Sequence, residues 1–413
     1  MRVLIVNTAE RTGGAAIAAN RLLHALNRNG VEARMLVRDR KTDASEVVNI
    51  PQSWRLKANF LWERGVIWLA NGLSRKGIFQ VDIANAGTDI TAMPEFHEAD
   101  VIHLHWVNQG FLSLSNLERI LASGKPVVMT LHDQWYFTGI CHYSGDCDKY
   151  KQQCSRCPML KGPGIDLAKR VFNRKRLMYE GKNITFVGCS RWMADLARQS
   201  RLTQGHTVTN IPNAIDTDVF KPMDKQAARS HHNLPKDKKL LLFGAQRITD
   251  ERKGFSYLVE ACEHLIKAYP TLSEQLGVVV LGGDAQSVKQ ALPLPVYTVN
   301  YLSHETEIAQ LYSAADLFVT PSLQDNLPNT IVEAMACGTP CVGFNVGGIP
   351  EMIDHRQDGY VARYKDSEDF AQGIAWCLDE DRHPALSAAA LATALDTYSE
   401  SAVAKQYQAI YQG

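Results

Sequence analysis

The most constraining feature of this chain of 413 residues is the stretch 318–352. Its apolar start predicts a buried strand, and a short helix is predicted from Pro328 to Ala336, where Gly338 and Pro340 supply the stop signals. A second strand is predicted from Cys341 to Phe344. Strand, loop, helix and strand make one parallel crossover unit, and ligands of such sheets bind where strand ends meet helix N-termini.

The loop of this crossover unit places two carboxylates next to a helix N-terminus. Asp325 and Glu333 flank the helix start near Pro328 and Asn329, where free backbone N–H groups favour an anion. The sequence here has an acidic residue, then Glu after seven further residues, and then the motifs Ala-Met-Ala-x-Gly-x-Pro and Gly-Gly-x-Pro-Glu. This combination resembles the donor-site segment of the family-4 retaining glycosyltransferases, the group 1 type. That family has Glu at the first acidic position, where this chain has Asp325.

The resemblance implies an α/β chain with the GT-B fold, in which two Rossmann-like domains with parallel sheets face each other across a cleft. It implies an acceptor-side domain at 1–210 and a nucleotide-sugar donor domain at 211–394. A C-terminal helix at 395–413 is expected to pack back on the first domain. The segment 211–222, IPNAIDTDVFKP, resembles the interdomain junction of the family, with Ala214 in place of its glycine.

The resemblance also assigns donor contacts to individual residues. Asp325 and the backbone of 326–328 contact the transferred sugar, and Glu333 contacts the ribose. The loop at Tyr301-Leu302 lies by the nucleotide base. The pair Gly13-Gly14, in the loop after the first predicted strand, lies near the donor phosphate and the acceptor. The candidate donor-binding residues are therefore Asn326, Leu327, Pro328, Asn329, Glu333, Gly13 and Gly14.

Cationic residues follow the strand predicted from Leu240 to Gly244. A diphosphate leaving group needs fixed cations, because Arg clamps two phosphate oxygens and Lys acts as a point charge. Lys253 is one such cation, and the sequence leaves open whether Arg247 or Arg252 faces the diphosphate. Because these cations can stabilise the departing diphosphate, no cofactor is required for catalysis. The candidate catalytic residues are His132, Arg247, Lys253 and Asp325.

Histidines lie at the carboxyl ends of two predicted strands, Val101 to His105 and Val127 to Leu131. His103 and His105 end the first strand and His132 follows the second, at the edge where ligands bind. A lone histidine at such a position is more often structural than catalytic. The segment Thr-Leu-His-Asp matches a family segment whose histidine lies by the transferred sugar, which favours His132.

Four cysteines follow the pattern C-x5-C-x6-C-x2-C within an insert at 139–162, namely Cys141, Cys147, Cys154 and Cys157. A C-x2-C pair with two nearby thiols can close a tetrahedral zinc site, with His142 as a substitute ligand. Four thiolates leave no open coordination position, so such a zinc is structural. Free buried thiols and a redox pair are the alternatives.

Residues 54–79 interleave long apolar and aromatic side chains with five cations. This composition is typical of a helix at a membrane interface. A helix that simply packs on its domain, or that holds a lipid-linked acceptor, has the same composition.

The net charge is zero, but the first half of the chain is basic and the second half is acidic. Residues 1–212 contain 28 Lys and Arg against 18 Asp and Glu, and residues 213–413 contain 16 against 26. A basic half suits an acidic partner such as anionic lipid, a phosphorylated acceptor or nucleic acid. Uneven solvation and mutual attraction of the halves explain the same charges. The resemblance favours the lipid or acceptor, and no nucleic acid partner is expected.

The predicted function is transfer of a sugar from a nucleotide-diphosphate sugar to a glycan or lipid-linked acceptor, with retention of configuration, in polysaccharide biosynthesis. The first residues have a buried-strand pattern rather than a signal peptide, and the sequence has no apolar run of membrane-spanning length. A cytoplasmic location is expected, with peripheral attachment to the membrane through 54–79. The alternatives are another GT-B enzyme, such as a sugar-nucleotide epimerase or a phosphorylase, and a non-catalytic nucleotide-sugar-binding protein.

Overall fold

A computed structural model describes residues 1–162, 164–300 and 302–412. The chain divides into two compact units. Unit 1 contains Met1–Pro212 together with Val403–Gly413, and unit 2 contains Asn213–Ala402. The change from unit 1 to unit 2 lies two residues after the predicted boundary, and the chain re-enters unit 1 at Val403. Tyr301, predicted to lie by the base, is outside the described residues.

Unit 1 is built on a parallel sheet of seven strands in the order β3-β2-β1-β4-β5-β6-β7. The strands are β1 Arg2–Ala9, β2 Glu32–Asp39, β3 Val47–Asn49, β4 Val101–Leu104, β5 Val127–Leu131, β6 Ile184–Gly188 and β7 Thr207–Asn210. Its first helices are α1 Gly14–Arg28, α2 Trp54–Ala70, α3 Pro94–Glu98, α4 Leu114–Ala122, α5 Leu167–Tyr179 and α6 Arg191–Arg198.

Unit 2 repeats this plan with a parallel sheet of six strands in the order β10-β9-β8-β11-β12-β13. The strands are β8 Lys239–Gly244, β9 Leu276–Leu281, β10 Val296–Val299, β11 Leu317–Thr320, β12 Cys341–Phe344 and β13 Gly359–Ala362. The helices are α7 Lys225–His231, α8 Phe255–Ala268, α9 Pro270–Gln275, α10 Ala285–Val288, α11 Glu305–Ala314, α12 Asn329–Ala336, α13 Ile349–Met352, α14 Ser367–Cys377 and α15 His383–Thr393.

The strand orders explain where the sites must lie. In each sheet the strand order reverses direction once, between β1 and β4 in unit 1 and between β8 and β11 in unit 2. Parallel sheets of this type bind ligands beyond the carboxyl ends of the strands at that reversal. The central strands are buried on both faces, as expected for sheets covered by helices. The two parallel sheets match the fold class predicted from the sequence.

The last helix, α16, runs over Glu400–Gln412 and returns the chain to unit 1. Tyr411 donates to or accepts from His103 Nδ1 at 2.7 Å, and Tyr407 lies 3.1 Å from the hydroxyl of Thr130. Both tyrosines are buried. This helix therefore completes the core of unit 1 behind β4 and β5.

Candidate active site

The centre of the site in unit 2 is the contact between Lys253 and Asp325. Lys253 Nζ lies 2.6 Å from Asp325 Oδ2, although the two residues belong to loops that follow different strands, β8 and β11. Asp325 Oδ1 also accepts the backbone N–H of Asn326 at 3.1 Å. A cation suited to phosphate and a carboxylate suited to hydroxyl groups thus lie together at the reversal of the sheet.

The loop that carries Lys253 is held by a capped turn and a glycine. The carboxylate of Asp250 accepts the backbone N–H of Arg252 at 3.0 Å, and a 3-10 turn covers Glu251–Lys253. Gly254 follows with φ of 68°, and a Cβ there would lie 1.9 Å from the carbonyl oxygen of Pro321. Only glycine permits this approach of the two loops.

The two candidate arginines occupy different surroundings. Arg247 is exposed to solvent. The backbone carbonyl of Arg252 accepts from Leu323 N at 2.8 Å, and its guanidinium reaches Gln324 O and Asp250 at 3.5 Å. Arg252 is therefore attached to the loop that leads to Asp325, a placement that the sequence spacing left open.

A third loop packs under Asp325. Gly347 has φ of 59°, and a Cβ there would lie 1.8 Å from the carbonyl oxygen of Asp325. That carbonyl accepts from Gly348 N at 3.3 Å. The Gly-Gly pair after β12 thus fixes the backbone of Asp325, and a side chain at 347 would displace it.

The N-terminus of α12 lies beside this loop. Asn326, Leu327 and Pro328 are buried, and Pro328 is the N-cap residue, which no side chain caps. The side chain of Asn329 accepts from Asn213 Nδ2 at 2.9 Å. Backbone N–H groups at such a helix end favour an anion.

Glu333 lies on α12, one turn into the helix, and is 7% exposed. Its Oε2 accepts a hydrogen bond of 2.9 Å from the hydroxyl of Tyr312 on α11. Burial, and then the charge of Glu333, raise the pKa of Tyr312, which keeps that hydroxyl a donor. Tyr312 therefore orients Glu333, and the sequence did not single it out.

The glycine pair in unit 1 follows β1 at the start of α1, in the loop after the first strand as the sequence predicts. Gly13 is the N-cap residue of α1 with φ of 90°, and Gly14 is the first residue of the helix. No atom of the residues that the structure describes lies within 4 Å of the position of a Cβ on Gly13, so the conformation rather than crowding requires glycine there.

The three candidate histidines form a buried group at the ends of β4 and β5. His132 Nε2 lies 2.8 Å from His105 Nδ1, and His132 Nδ1 lies 3.5 Å from Cys189 Sγ. Burial lowers the pKa of His132 to about 4 and that of His103 to about 3. These imidazoles are neutral near pH 7 and serve as hydrogen-bonding groups rather than cations. His103 is bonded by Tyr411 and Thr130, which gives it a structural role.

A chain of ion pairs that the sequence did not reveal lies beside His132. His142 is bonded to Asp133 at 2.7 Å and to Asp82 at 2.6 Å, and Asp82 is also paired with Arg64. Burial opposes the charge of His142, but the two carboxylates outweigh it and raise its pKa to about 10. Both ring nitrogens of His142 are engaged, so the interpretation of this residue as a substitute zinc ligand is wrong.

The four cysteines of the insert lie together in unit 1. Cys141 donates to Cys157, and this bond lowers the pKa of Cys157 to about 7. Burial raises the pKa of Cys154 to about 11, and Cys147 is half-buried. In residues 1–162, 164–300 and 302–412, no group of three or more histidine, cysteine or acidic side chains is arranged to hold a metal ion. The thiols pack against one another instead.

Helix α2 packs Leu56 and Ile67 into the core of unit 1, exposes other apolar side chains and buries its central charges. Leu61 and Trp62 are 65% and 64% exposed, whereas the adjacent Glu63 and Arg64 are buried. Glu63 Oε1 accepts from the backbone N–H groups of residues 83 and 84. No described helix is both long and apolar enough to cross a membrane.

Two family models match this chain. The model described as "Glycosyltransferase Family 4" matches residues 12–219, half of the chain, and the model described as "Glycosyl transferases group 1" matches residues 237–380. A D-inositol 3-phosphate glycosyltransferase of Thermobispora bispora is 30% identical over 332 residues, which cover 78% of this chain and 72% of that protein. The chain belongs to the group 1 glycosyltransferases.

Other relatives of this glycosyltransferase match over shorter segments. D-inositol 3-phosphate glycosyltransferase 2 of Catenulispora acidiphila is 32% identical over 186 residues, 42% of each chain, so the match spans less than half of that relative. Sucrose-phosphate synthase from Thermosynechococcus elongatus has a TM-score of 0.68 at 20% identity over 100% of this chain and 98% of that one. Anabaena Alr3699/HepE in complex with UDP-glucose has a TM-score of 0.62 at 17% identity, covering 100% and 99%. These likenesses confirm the GT-B fold.

In this glycosyltransferase the predicted site residues fall into two groups, one in each unit. Lys253, Asp325 and the start of α12 meet in unit 2, with Glu333 behind them. In unit 1 the glycine pair follows β1, at the reversal of the sheet, and His132 follows β5, one strand beyond it. Three further residues support this set without having been predicted: Tyr312, Asp133 and Gly347.

Proposed function

We propose that this group 1 glycosyltransferase transfers a sugar from a nucleotide-diphosphate sugar to a glycan or lipid-linked acceptor, with retention of configuration, in polysaccharide biosynthesis. The observation that carries the proposal is the contact of 2.6 Å between Lys253 and Asp325 at the reversal of the unit 2 sheet. A sugar nucleotide needs a cation for its diphosphate and a hydrogen-bond acceptor for its sugar hydroxyls within one site. These two residues supply both.

Donor binding separates this ion pair. The diphosphate takes Lys253, with Arg247 or Arg252 as the second cation, and a sugar hydroxyl takes Asp325. The N–H groups at the start of α12 add a favourable potential for the negatively charged donor. Glu333, oriented by Tyr312, accepts from the ribose hydroxyls.

The reaction breaks the bond between the anomeric carbon and the diphosphate oxygen and forms a bond to the acceptor oxygen on the same face. The acceptor hydroxyl passes its proton to the departing phosphate, so no further reactant is needed. Charge on the leaving diphosphate is stabilised by the fixed cations, which is the main source of catalysis. His132, neutral near pH 7, contributes hydrogen bonds rather than charge.

The solved relatives support a nucleotide-sugar donor. Anabaena Alr3699/HepE is described in complex with UDP, with UDP and glucose, and with UDP-glucose. The D-inositol 3-phosphate glycosyltransferases support a transferase rather than an epimerase or a phosphorylase. The base and the sugar are left to experiment, since Asp325 replaces the usual Glu.

The acceptor side is proposed to lie at the inner face of a membrane, with the protein in the cytoplasm. The stretch 54–79 exposes Trp54, Leu61, Trp62, Leu69, Leu73 and Phe79. Four of its five cations, Arg55, Lys57, Arg75 and Lys76, are also exposed, and its one acidic residue, Glu63, is buried. An apolar surface flanked by cations suits anionic lipid, in which a lipid-linked acceptor would reside.

The proposed activity is tested with purified protein and a panel of UDP-, GDP- and ADP-sugars. One donor is expected to raise the melting temperature, and nucleoside diphosphate is released only when an acceptor is added. An NMR spectrum of the product then shows the retained anomer. Epimerised donor without acceptor, or phosphate-dependent cleavage, would establish one of the alternative GT-B enzymes. Absence of binding to every donor would favour the non-catalytic alternative.

The membrane proposal is tested by sedimentation with vesicles of anionic or zwitterionic lipid. The protein is expected to bind the anionic vesicles, and the double variant Leu61→Ser with Trp62→Ser to lose most of that binding. Leu395→Ser, at another exposed leucine, in unit 2, is the matched control. Equal binding to both vesicle types would contradict the role of the cations.

A further inference from the structure

The carboxylate of Asp133 joins the two loops that carry the bonded histidines of unit 1. Its Oδ2 accepts from Trp106 Nε1 at 2.9 Å, and its Oδ1 accepts from the backbone N–H of Trp135 at 2.8 Å. Trp106 follows His105 in the loop after β4, and Asp133 follows His132 in the loop after β5. The bond between Trp106 and Asp133 therefore connects the neighbours of two histidines whose ring nitrogens lie 2.8 Å apart.

A second carboxylate, that of Asp82, is joined to Asp133 through the imidazole of His142. His142 Nδ1 lies 2.7 Å from Asp133 Oδ2, and His142 Nε2 lies 2.6 Å from Asp82 Oδ2. An ionised carboxylate only accepts hydrogen bonds, so between two such groups both ring nitrogens of His142 donate. The ring then carries a positive charge between two negative ones, and such charge-assisted bonds are stronger than neutral hydrogen bonds.

This series of contacts ends on helix α2. Arg64 is paired with Asp82, and its guanidinium also donates to two backbone carbonyls just before Asp82, at 2.6 and 3.2 Å. The backbone carbonyl of Asp82 accepts from Trp135 Nε1 at 2.8 Å. We call the four groups the ion-pair chain, and its members are Arg64, Asp82, His142 and Asp133. Two positive and two negative groups leave it without net charge.

The ion-pair chain is largely buried. Asp82 is 0% exposed, Arg64 is 6% exposed and His142 is 9% exposed. Removal of charges from water costs free energy, and apolar residues of similar volume often stabilise a core equally well. Stability alone is therefore a weak reason for four such charges. The chain differs from apolar packing in that each of its bonds fixes both a distance and an angle between two side chains.

The cysteine-rich insert brings His142 into the ion-pair chain. The backbone N–H of His142 donates to Gln80 O at 3.0 Å, and its carbonyl accepts from Gln134 N at 2.8 Å. The backbone N–H of Ser144 donates to Gln134 Oε1 at 2.6 Å. The insert is thus attached to the loop that begins at His132, and a shift of His142 would move that loop with it.

We propose that Asp82, Asp133 and His142 are positioning residues for His132 in the transfer reaction. Within the proposed function, on which this inference rests, His132 contributes hydrogen bonds to the reactants. The ion-pair chain holds the loop of His132 against the loop of His105 and so keeps the His132 ring in one orientation. A displacement of about 1 Å at a reacting centre lowers rates steeply. The three positioning residues act through His132 and contact neither donor nor acceptor.

The kinetic test compares conservative variants of the ion-pair chain with a matched variant in unit 2. Asp82→Asn and His142→Gln keep side chains that form hydrogen bonds but remove their charge. Each is expected to lower kcat about tenfold and to leave the donor KM within about twofold, because the proposed cation and carboxylates for the donor lie in unit 2. Asp316→Asn is the control, since Asp316 is a largely buried carboxylate paired with two cations of unit 2. It is expected to lower the melting temperature and to keep kcat.

A chain of contacts also predicts that its members are not independent. In the double variant Asp82→Asn with His142→Gln, kcat is expected to stay within about twofold of the value for His142→Gln alone, because Asp82 acts on His132 through His142. A double variant whose loss is the product of the two single losses would mean that the residues act separately, and would overturn the chain.

A measurement on His132 itself does not depend on the transfer assay. Long-range ¹H–¹⁵N spectra of the histidine rings report the protonation and hydrogen bonding of each ring nitrogen. The His132 signals, assigned by their loss in His132→Gln, are expected to shift in Asp82→Asn and to stay in place in Asp316→Asn. A wild-type protein that transfers no sugar would refute the proposed function, and these spectra would then decide the positioning role.

Four outcomes would overturn that role. They are unshifted His132 signals in Asp82→Asn, wild-type kcat in both single variants, a change confined to the donor KM, and an equal loss of kcat in Asp316→Asn.

Discussion

Lys253 and Asp325 contact each other at 2.6 Å, although 72 residues separate them in the sequence. In this arrangement the cation and the carboxylate that we propose to bind different parts of a donor neutralise one another. In the proposed function a donor replaces this one contact with two, a phosphate at Lys253 and a sugar hydroxyl at Asp325. The pair is therefore the most informative position for mutagenesis.

Asp325→Ala is expected to reduce kcat/KM for the preferred donor by about a hundredfold, because a sugar hydroxyl loses its acceptor. Binding of the free nucleoside diphosphate is expected to stay the same or to tighten, since Lys253 is no longer occupied by the carboxylate. Steady-state kinetics and calorimetry with the diphosphate measure the two effects. Asp381→Ala, at an exposed carboxylate, is the control. Transfer at the wild-type rate in Asp325→Ala would show that another group faces the sugar.

Gly347→Ala is expected to destabilise the protein by about 1 to 3 kcal/mol and to reduce kcat about a hundredfold. The added Cβ would overlap the carbonyl oxygen of Asp325 and would require φ of 59° from alanine. Denaturant unfolding and initial rates test this expectation. Gly65→Ala is the matched control, because its Cβ meets nothing within 4 Å and it lies inside α2. If both substitutions had the same effect, the close approach would not matter.

Tyr312→Phe is expected to raise KM for the donor about tenfold with a smaller change in kcat. The variant keeps the ring in its packed position and removes only the hydroxyl that donates to Glu333. Tyr257→Phe, at an aromatic residue that packs edge-on against Phe344, provides the control. A change confined to kcat would place Glu333 at the reacting atoms rather than at the ribose.

His103→Gln is expected to make unfolding less sensitive to acid. Burial lowers the pKa of His103 to about 3 from an unfolded value near 6.5. Because the unfolded chain binds the proton first, this histidine contributes stability that is complete above about pH 6.5 and is lost as pH falls toward 3. The stability difference between wild type and variant should therefore shrink on acidification.

Melting temperatures across that pH range measure the difference, and His304→Gln, at an exposed histidine, is the control. Parallel curves for wild type and His103→Gln would mean that His103 does not titrate in this window.

Much of the secondary structure around the unit 2 site was predictable because its signals are local. The helix predicted from Pro328 to Ala336 is α12, which begins one residue later because Pro328 caps it. The strand predicted from Cys341 to Phe344 is β12. Helix stop signals and apolar runs involve only a few neighbouring residues, so they can be recognised in one sequence.

The residues that were missed depend on packing between distant segments. Tyr312 lies among buried residues of α11, a pattern that equally predicts a core side chain, and its bond to Glu333 exists only because α11 packs on α12. Likewise, Glu63 and Arg64 resemble exposed charges on an interfacial helix. Their partners lie about twenty residues further on, at Asp82 and the backbone that follows it. No local periodicity specifies such contacts.

The return of α16 to unit 1 has a consequence for biosynthesis. Ribosomes make the strands β1 to β7 before any residue of unit 2, whereas Tyr407 and Tyr411 are made after all of unit 2. Until those tyrosines emerge, His103 and Thr130 lack the hydroxyl groups that bond them in the finished fold. Unit 1, most of which is translated first, therefore completes its core only after all of unit 2 has been translated.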